Sequence, residues 1–303
     1  MVEPLISIVI AVYNRQEYLA DCVQSIRDQP YGPVEIVIVD DGSTKDLSGF
    51  ADQCDVFVRS ERNLGASYSR NVGVLRSRGE VLIFLDSDTR VRRDSLALLP
   101  ALLEIHPDIG AIGGSGPPDA AGEDVAYILG KTYDASGRSA KIAYHPGDGA
   151  EALHDCDHLE SAFLAMPRRV FVEIGGFDPY FHYMGEDRDL CLRIRDLGLR
   201  VVASMPTRTI HYGAATDKVA RTVKGLDFTE FLQTRYLEVA VKRGGVEGGE
   251  RWMASNAGRW EDNPRLETPL QGVLARADEV QARMSRDFLT EAALAEYRRR
   301  ARV

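Results

Sequence analysis

Asp86, Ser87 and Asp88 end the apolar run Val81–Leu85 with two carboxylates one residue apart. In an extended chain residues i and i+2 point to the same side, so Asp86 and Asp88 are expected to converge while Ser87 faces away. Paired hard oxygens suit Mg2+ or Mn2+, ions that keep part of their water shell and bridge to phosphate groups. The same triplet also serves as a turn in which Asp88 or Thr89 satisfies backbone donors, and alone it does not separate the two uses. A second acidic group, Glu186, Asp187 and Asp189, precedes Leu190, Cys191, Ile194 and Leu197, an apolar stripe at helical spacing. Acids in the first turn of a helix are favoured by its dipole and cap free N–H groups.

These groups need elements that bring them together. "LISIVIAV", "VEIVIVD", "DVFVRS" and "EVLIFLD" read as strands, the continuous apolar runs being those of parallel strands covered on both faces. Between them "RQEYLADCVQSIRDQ", "GASYSRNVGVLRSRG" and "DSLALLPALLEI" carry helical periodicity. Alternating strand and helix predicts a wound, parallel sheet, with ligands beyond the carboxyl ends of its strands. Three of those ends are polar: Tyr13-Asn14, Asp40-Asp41-Gly42-Ser43 and Asp86-Ser87-Asp88. Residues 113–150 are loop-rich around a strand near Tyr127. "HLESAFLAM", a short helix from Pro167, "GEDRDLCLRIRDLG" and "LRVVAS" then restore regular structure. Beyond about residue 222 the chain reads as charged helices separated by the weakly patterned "GGVEGGERWMASNAGRWEDNP".

The 303 residues suffice for one large α/β domain with an appendage. A formal charge of −9, from 37 basic and 46 acidic residues, argues against sequence-independent binding to nucleic acid, whose phosphates require a basic surface. Cys22, Cys54, Cys156 and Cys191 are scattered without metal-ligand spacing and read as free thiols of a reducing cytoplasm. The apolar run Leu5–Val12 is too short to span a bilayer and follows no basic leader, so no transmembrane segment is expected.

"SIVIAVYNRQEYLADCVQSI", "VEIVIVDDGSTKD", "NLGASYSRNVGVLRSRGEVLIFLDSDTRV", "GGFDPYFHYMGEDRDLCLRIRDLGLRV" and "TIHYGA" occur in that order. Over residues 4–213 they resemble the family 2 glycosyltransferases, enzymes of GT-A fold that use nucleotide-sugar donors. The resemblance implies an α/β, Rossmann-like GT-A fold: a mostly parallel sheet flanked by helices, with a C-terminal helical extension. It divides the chain into a transferase domain, 1–221, and the extension, 222–303. Within the domain, 1–112 would be the nucleotide-binding half and 113–221 the acceptor-binding half.

By the same resemblance Ala11, Tyr13 and Asp41 hold the base and ribose with support from Asp40. Arg70 lies near the donor phosphates, and Ser87 belongs to the same nucleotide-sugar group. Asp88 ligates Mn2+ or Mg2+, Asp86 contacts ribose or the metal, and His211 completes the metal site. Asp187 is the general base of an inverting transfer, with Glu186 as the lesser candidate that binds an acceptor hydroxyl or orients the site. Asp178, in the loop that positions their helix, is a further candidate for contact with the sugar or acceptor. Where family members often carry small residues this chain has Glu160-Ser161, candidates for contact with the sugar or acceptor. The cluster His154-Asp155-Cys156-Asp157-His158 would alternate faces in a strand, so it reads as acceptor contacts or a polar loop in preference to a second metal site.

The implied activity is metal-dependent, inverting transfer of a sugar from a UDP- or dTDP-type donor to a hydroxyl of a saccharide, a natural product or a lipid-linked glycan. The rival readings are a catalytically silent glycan- or nucleotide-binding scaffold and a sugar nucleotidyltransferase. The last is disfavoured because "AVYNRQEYL" lacks the Gly-rich basic loop such enzymes use. The C-terminal helices are expected to act as a lid or dimer element, and "RRRAR" offers a peripheral contact with an anionic membrane.

Overall fold

The computed structural model describes residues 3–116, 127–133, 139–144, 153–204, 207, 209–212, 228–257, 267–282 and 288–300. The strands are β1 (Ile6–Val12), β2 (Val34–Asp40), β3 (Val56–Arg59), β4 (Val81–Asp86), β5 (Thr89–Val91), β6 (Ile109–Gly113), β7 (Ser115–Gly116), β8 (Tyr127–Tyr133), β9 (Ser139–Tyr144), β10 (Leu153–Cys156), β11 (Phe163–Pro167), β12 (Arg200–Ser204) and β13 (Thr209–His211). The helices of the sheet domain are α1 (Gln16–Arg27), α2 (Ala66–Arg76), α3 (Ser95–Ile105), α4 (Arg168–Glu173) and α5 (Glu186–Asp196). After them come α6 (Phe228–Ser255), α7 (Glu267–Leu274), α8 (Ala277–Ala282) and α9 (Glu291–Arg300).

Eight strands form one sheet in the order β10-β12-β6-β11-β4-β1-β2-β3. The pairs β1/β2, β1/β4, β2/β3 and β6/β12 are parallel, whereas β11 and β10 run antiparallel to their neighbours, so the sheet is mostly parallel. The alternation along each strand sorts its side chains to two faces. Ile6, Ile8, Ile10 and Val12 of β1 join Leu19, Cys22, Val23 and Ile26 of α1 and Leu96 and Leu99 of α3 in one apolar layer. Val9, Val37, Val39 and Phe84 turn the other way and meet α2, α4 and α5. Gly73 sets the closeness of α2 to the sheet: a Cβ there would stand 2.4 Å from Val9 Cγ1.

The register matters more for chemistry than the strand order. Val12 lies opposite Asp40 and Ala11 opposite Asp86, so β1, β2 and β4 end flush, with their polar tips on one edge. Antiparallel to β4, β11 pairs Phe163 with Leu85, which brings the preceding residues to the same edge. A small sheet, β5-β13-β7, pairs His211 with Thr89.

The C-terminal helices fold back on the sheet domain. Leu237 and Val241 of α6 pack with Trp252, Leu270, Val273 and Val280 in a third apolar cluster. Helix α6 passes over Gly244 and Gly245, whose backbone is not helical, and α9 stacks Tyr297 on Tyr68 of α2. Among the described residues no helix is long and apolar enough to cross a membrane. The predicted domain boundary at 221/222, most of the loop-rich 113–150 segment and the last residues of "RRRAR" lie outside the described residues.

Candidate active site

Asp86 ends β4, and a two-residue turn carries the chain into β5. Convergence of Asp86 and Asp88 therefore comes from this turn and not from the extended i, i+2 geometry the sequence suggested. Pairing of β13 with β5, reinforced by Tyr212 N–H donating to Asp88 O at 3.0 Å, lays His211 against both carboxylates. His211 Nε2 lies 3.2 Å from Asp88 Oδ1 and 3.8 Å from Asp86 Oδ2. One ligand atom from each of Asp86, Asp88 and His211 falls within 4.8 Å of the others.

These donors fit a hard or borderline divalent cation. Asp88 Oδ2 is buried without a hydrogen-bond partner among the described residues, an oxygen poised for a ligand. Burial opposes a charge on His211, yet Asp88 and Asp86 raise its pKa to about 9, so this point of the site favours positive charge. Burial likewise opposes ionisation of Asp88, but the hydrogen bond and charge of His211 hold its carboxyl below the ordinary value.

The neighbouring edge is built from the tips of β1 and β2. Asp40 accepts Ser43 N–H at 2.8 Å and pairs with Arg59 at 3.2 Å. Asp41 receives Leu64 N–H and Gly65 N–H on its two oxygens, each at 2.8 Å, and burial raises its carboxyl to about 6 against those bonds. Both aspartates thus shape the loop that carries them, leaving their remaining lone pairs for a ligand. Ala11 is partly buried beside Asp86, Tyr13 stands exposed, and Ser87 is buried in the turn.

Arg70, expected near the donor phosphates, lies beside the Asp86–Asp88–His211 cluster. It is 4% exposed, lies over the Phe177 ring, and donates to Asp86 at 2.9 Å and to Glu186 at 3.0 Å. It joins the Asp86–Asp88–His211 cluster to the acidic pair of α5. The chain enters that helix through Met184 and Gly185, both at positive φ, a conformation glycine takes without strain. Burial and the neighbouring charge of Asp187 push Glu186 upward against Arg70. For Asp187 burial acts in the same sense, but His158 and Lys131 outweigh it and hold the carboxyl well below its usual range.

Around Asp187 lie residues whose meeting with it no motif announced. His158 Nε2 is 3.2 Å from Asp187 Oδ1, and Arg188 N–H donates to the same oxygen at 2.7 Å. The Arg188 guanidinium is sandwiched between Tyr133 and Tyr236, 4.2 and 4.5 Å from their ring centres. Lys131 pairs with Glu160 at 2.9 Å on the rim, and Ser161 is buried with its hydroxyl unpartnered among the described residues. Lys131 and Tyr133 come from β8 and Tyr236 from α6, segments whose pattern announces nothing of this meeting. The rest of the His154–His158 cluster diverges: Asp155 bonds Arg200, while Asp157 takes Arg195 and Tyr133 N–H.

Asp178 is set apart from the cleft. It is 1% exposed, accepts Tyr180 N–H, and shares Lys242 of α6 with Asp189, so its carboxylate anchors α6 to α5.

Comparison with known proteins bears on this geometry. Residues 7–131 match the sequence model of the family described as glycosyl transferase family 2. A glucosyl-dolichyl phosphate glucuronosyltransferase of Haloferax volcanii is 28% identical over 220 residues, 68% of this chain and 68% of that protein. Glycosyltransferase GlyG of Streptococcus pneumoniae serotype 4 is 36% identical over 104 residues, 31% of this chain but only 34% of its own length. Among solved structures, GalNAc-T7 with UDP, GalNAc and Mn2+ superposes with a TM-score of 0.62 at 20% identity, over 91% of this chain and 56% of that one. Mannosyltransferase PcManGT of Pyrobaculum calidifontis, with GDP-Man and Mn2+, gives 0.55 at 18% identity, over 99% and 83% respectively. At these identities the two structures share the fold with this chain, and what they bind is a property of their own.

Proposed function

Because the chain belongs to the family 2 glycosyltransferases and has the GT-A fold, we propose that it is a metal-dependent, inverting enzyme that moves a sugar from a UDP- or dTDP-type donor to an acceptor hydroxyl. One observation carries the reading. A three-donor cluster sits at the flush ends of parallel strands and is tied through Arg70 to buried Glu186, next to the half-buried Asp187.

The nucleotide would lie along the tips of β1 and β2, with Tyr13 over it and Asp41 and Asp40 accepting from a ring N–H or ribose hydroxyl. Asp88 and His211 would hold Mn2+ or Mg2+, with Asp86 completing the site or contacting ribose and Ser87 beside it. Such a cation, when bound, would neutralise charge gathering on the departing diphosphate. Asp187 stays ionised at neutral pH and so can accept a proton. It would take the acceptor hydroxyl proton as that oxygen bonds to the anomeric carbon and the bond to the diphosphate breaks on the opposite face. Glu186, braced by Arg70, would orient the site, and Glu160 and Ser161 would meet the sugar or acceptor. Saccharide, natural-product and lipid-linked hydroxyls all suit the chemistry. The uronic-acid transfer to a glucosyl-dolichyl phosphate that names the Haloferax relative supports the last of these.

The test is release of nucleoside diphosphate from a panel of UDP- and dTDP-sugars with Mn2+, for wild type, Asp88→Ala and Asp187→Asn. Release that needs both residues supports the reading. Mn2+-dependent nucleotide binding without any turnover would instead indicate a binding scaffold.

A further inference from the structure

We propose that His158, itself held by Tyr133, is a positioning residue for sugar transfer: its Nε2–H fixes one oxygen of Asp187 and leaves the other turned to the acceptor hydroxyl. This rests on the reading of Asp187 as the general base.

His158 is 3% exposed and its backbone is locked on both sides, accepting Lys131 N–H at 2.9 Å and donating to Lys131 O at 3.1 Å. The ring is thus buried on a fixed stretch of backbone, where β8 meets the segment after β10. Nδ1 is 3.1 Å from the Tyr133 hydroxyl. Burial pushes that hydroxyl far above the ordinary tyrosine range, so it keeps its proton and can donate to Nδ1. A ring nitrogen that accepts leaves the other to carry the proton, and here the other faces Asp187. Nε2 is buried, lies 3.2 Å from Asp187 Oδ1, and meets no hydrogen-bond acceptor in good geometry among the described residues. Arg188 N–H binds the same Oδ1 at 2.7 Å. Arg188 N–H thus bonds Oδ1 and the His158 ring stands against the same oxygen at 3.2 Å, while no described residue donates to Oδ2. A base needs one free oxygen aimed at its proton and a carboxylate that does not rotate, and this arrangement supplies both.

Asp187 also feels Lys131 from β8, Glu186 and Arg188 from α5, Glu160 before β11, and Tyr236 from α6. His158 is the largest of the influences that favour its ionised form, ahead of Lys131. Removing His158 while leaving the others must make Asp187 harder to ionise. The acid limb of the rate profile then moves to higher pH, a change that a merely structural role would not produce.

The experiment uses the full chain with Mn2+ and a panel of UDP- and dTDP-sugars, water serving as acceptor, and reads nucleotide release against pH. His158→Leu is expected to lower kcat on the order of 10²-fold with donor KM unchanged, and to shift the acid limb upward. His158→Gln, which returns an N–H near the same place, is expected to recover most of both. An unshifted limb in His158→Leu, with Asp187→Asn inactive, overturns the proposal alone. Activity in Asp187→Asn overturns the base assignment on which it rests. A readout free of turnover is the 15N spectrum of the histidine side chains. Asp187→Asn should move the Nε2 signal of His158 and Tyr133→Phe its Nδ1 signal, and no movement in either variant also overturns the proposal.

Discussion

Replacing Arg70 by Met removes a cation held between Asp86 and Glu186 while keeping most of the stem that packs on Phe177. The loss is set by how far each partner is removed from water. The side chains of Arg70 and Glu186 are 4% and 11% exposed, whereas that of Asp86 is 34% exposed and can regain hydration. Breaking a buried ion pair by deleting one member costs about 3–5 kcal/mol, and here most of it falls on Glu186. Glu186 already lies beside ionised Asp187, so it has no second cation to turn to. At about 2–4 °C per kcal/mol for a chain of this size, the melting temperature should fall by about 10 °C at pH 8. The pH dependence has a definite sign. Burial and Asp187 raise the folded-state pKa of Glu186 above the unfolded value, and loss of Arg70 raises it further. A carboxyl of that kind binds a proton more readily in the folded chain, so its protonated form stabilises the fold at low pH and that stability is lost as pH rises through the raised pKa. The deficit of Arg70→Met, measured by urea unfolding, should therefore be smaller at pH 5 than at pH 8. Adding Glu186→Gln should recover about half of it at pH 8 and little at pH 5. Equal deficits at the two pH values, or wild-type stability at pH 8, would refute the claim that Arg70 braces a buried Glu186.

Asp187→Asn should lower kcat by about 10²–10⁴-fold in nucleotide-release assays, with donor KM little changed, as the proposed role of a base acting on the acceptor requires. Gly73→Val places a Cβ 2.4 Å from Val9 Cγ1 and should cost about 1–3 kcal/mol in urea unfolding, without touching the cleft. Asp41 titrates near 6 in the fold against an ordinary 3.8, so it makes stability fall as pH rises between those values. Asp41→Asn should flatten that slope whatever its absolute stability. Lys242→Met leaves Asp178 and Asp189 without their shared cation, and limited proteolysis should release α6 earlier than in wild type. Self-association through the C-terminal helices and contact with anionic vesicles are further proposals, read by light scattering and co-sedimentation.

Strong, long patterns were legible from the sequence. "VEIVIVD" is β2 to the residue, the first strand begins one residue later than its apolar run, and α5 opens on Glu186 as its stripe required. Short elements were not. β5 and β13 hold three residues each, too few for a period to show, and β6 is the glycine-bearing "IGAIG". Yet β5 and β13 are what carry His211 to Asp88. "GGVEGGERWMAS" looked unpatterned because Gly244 and Gly245 break the helical phase, although Trp252 and Met253 beyond them are buried in the C-terminal cluster. The same limit governs the site. Asp86, Asp88, Asp187 and His211 stand in motifs, whereas the contact of His158 with Asp187 depends on how β8 docks beside residue 158, which no local spacing encodes. Arg70 was found by motif, but its two carboxylate partners, Asp86 and Glu186, come from β4 and α5 and are set by burial that residue type alone does not encode.

The central claim is that Asp86, Asp88 and His211 form a cation site that holds the diphosphate of a donor. Its most direct test is calorimetric titration of UDP and dTDP, with and without Mn2+, into wild type and Asp88→Ala. The account predicts binding that requires both Mn2+ and Asp88. Binding of neither nucleotide under any condition, or binding indifferent to Mn2+ and to Asp88, would contradict it.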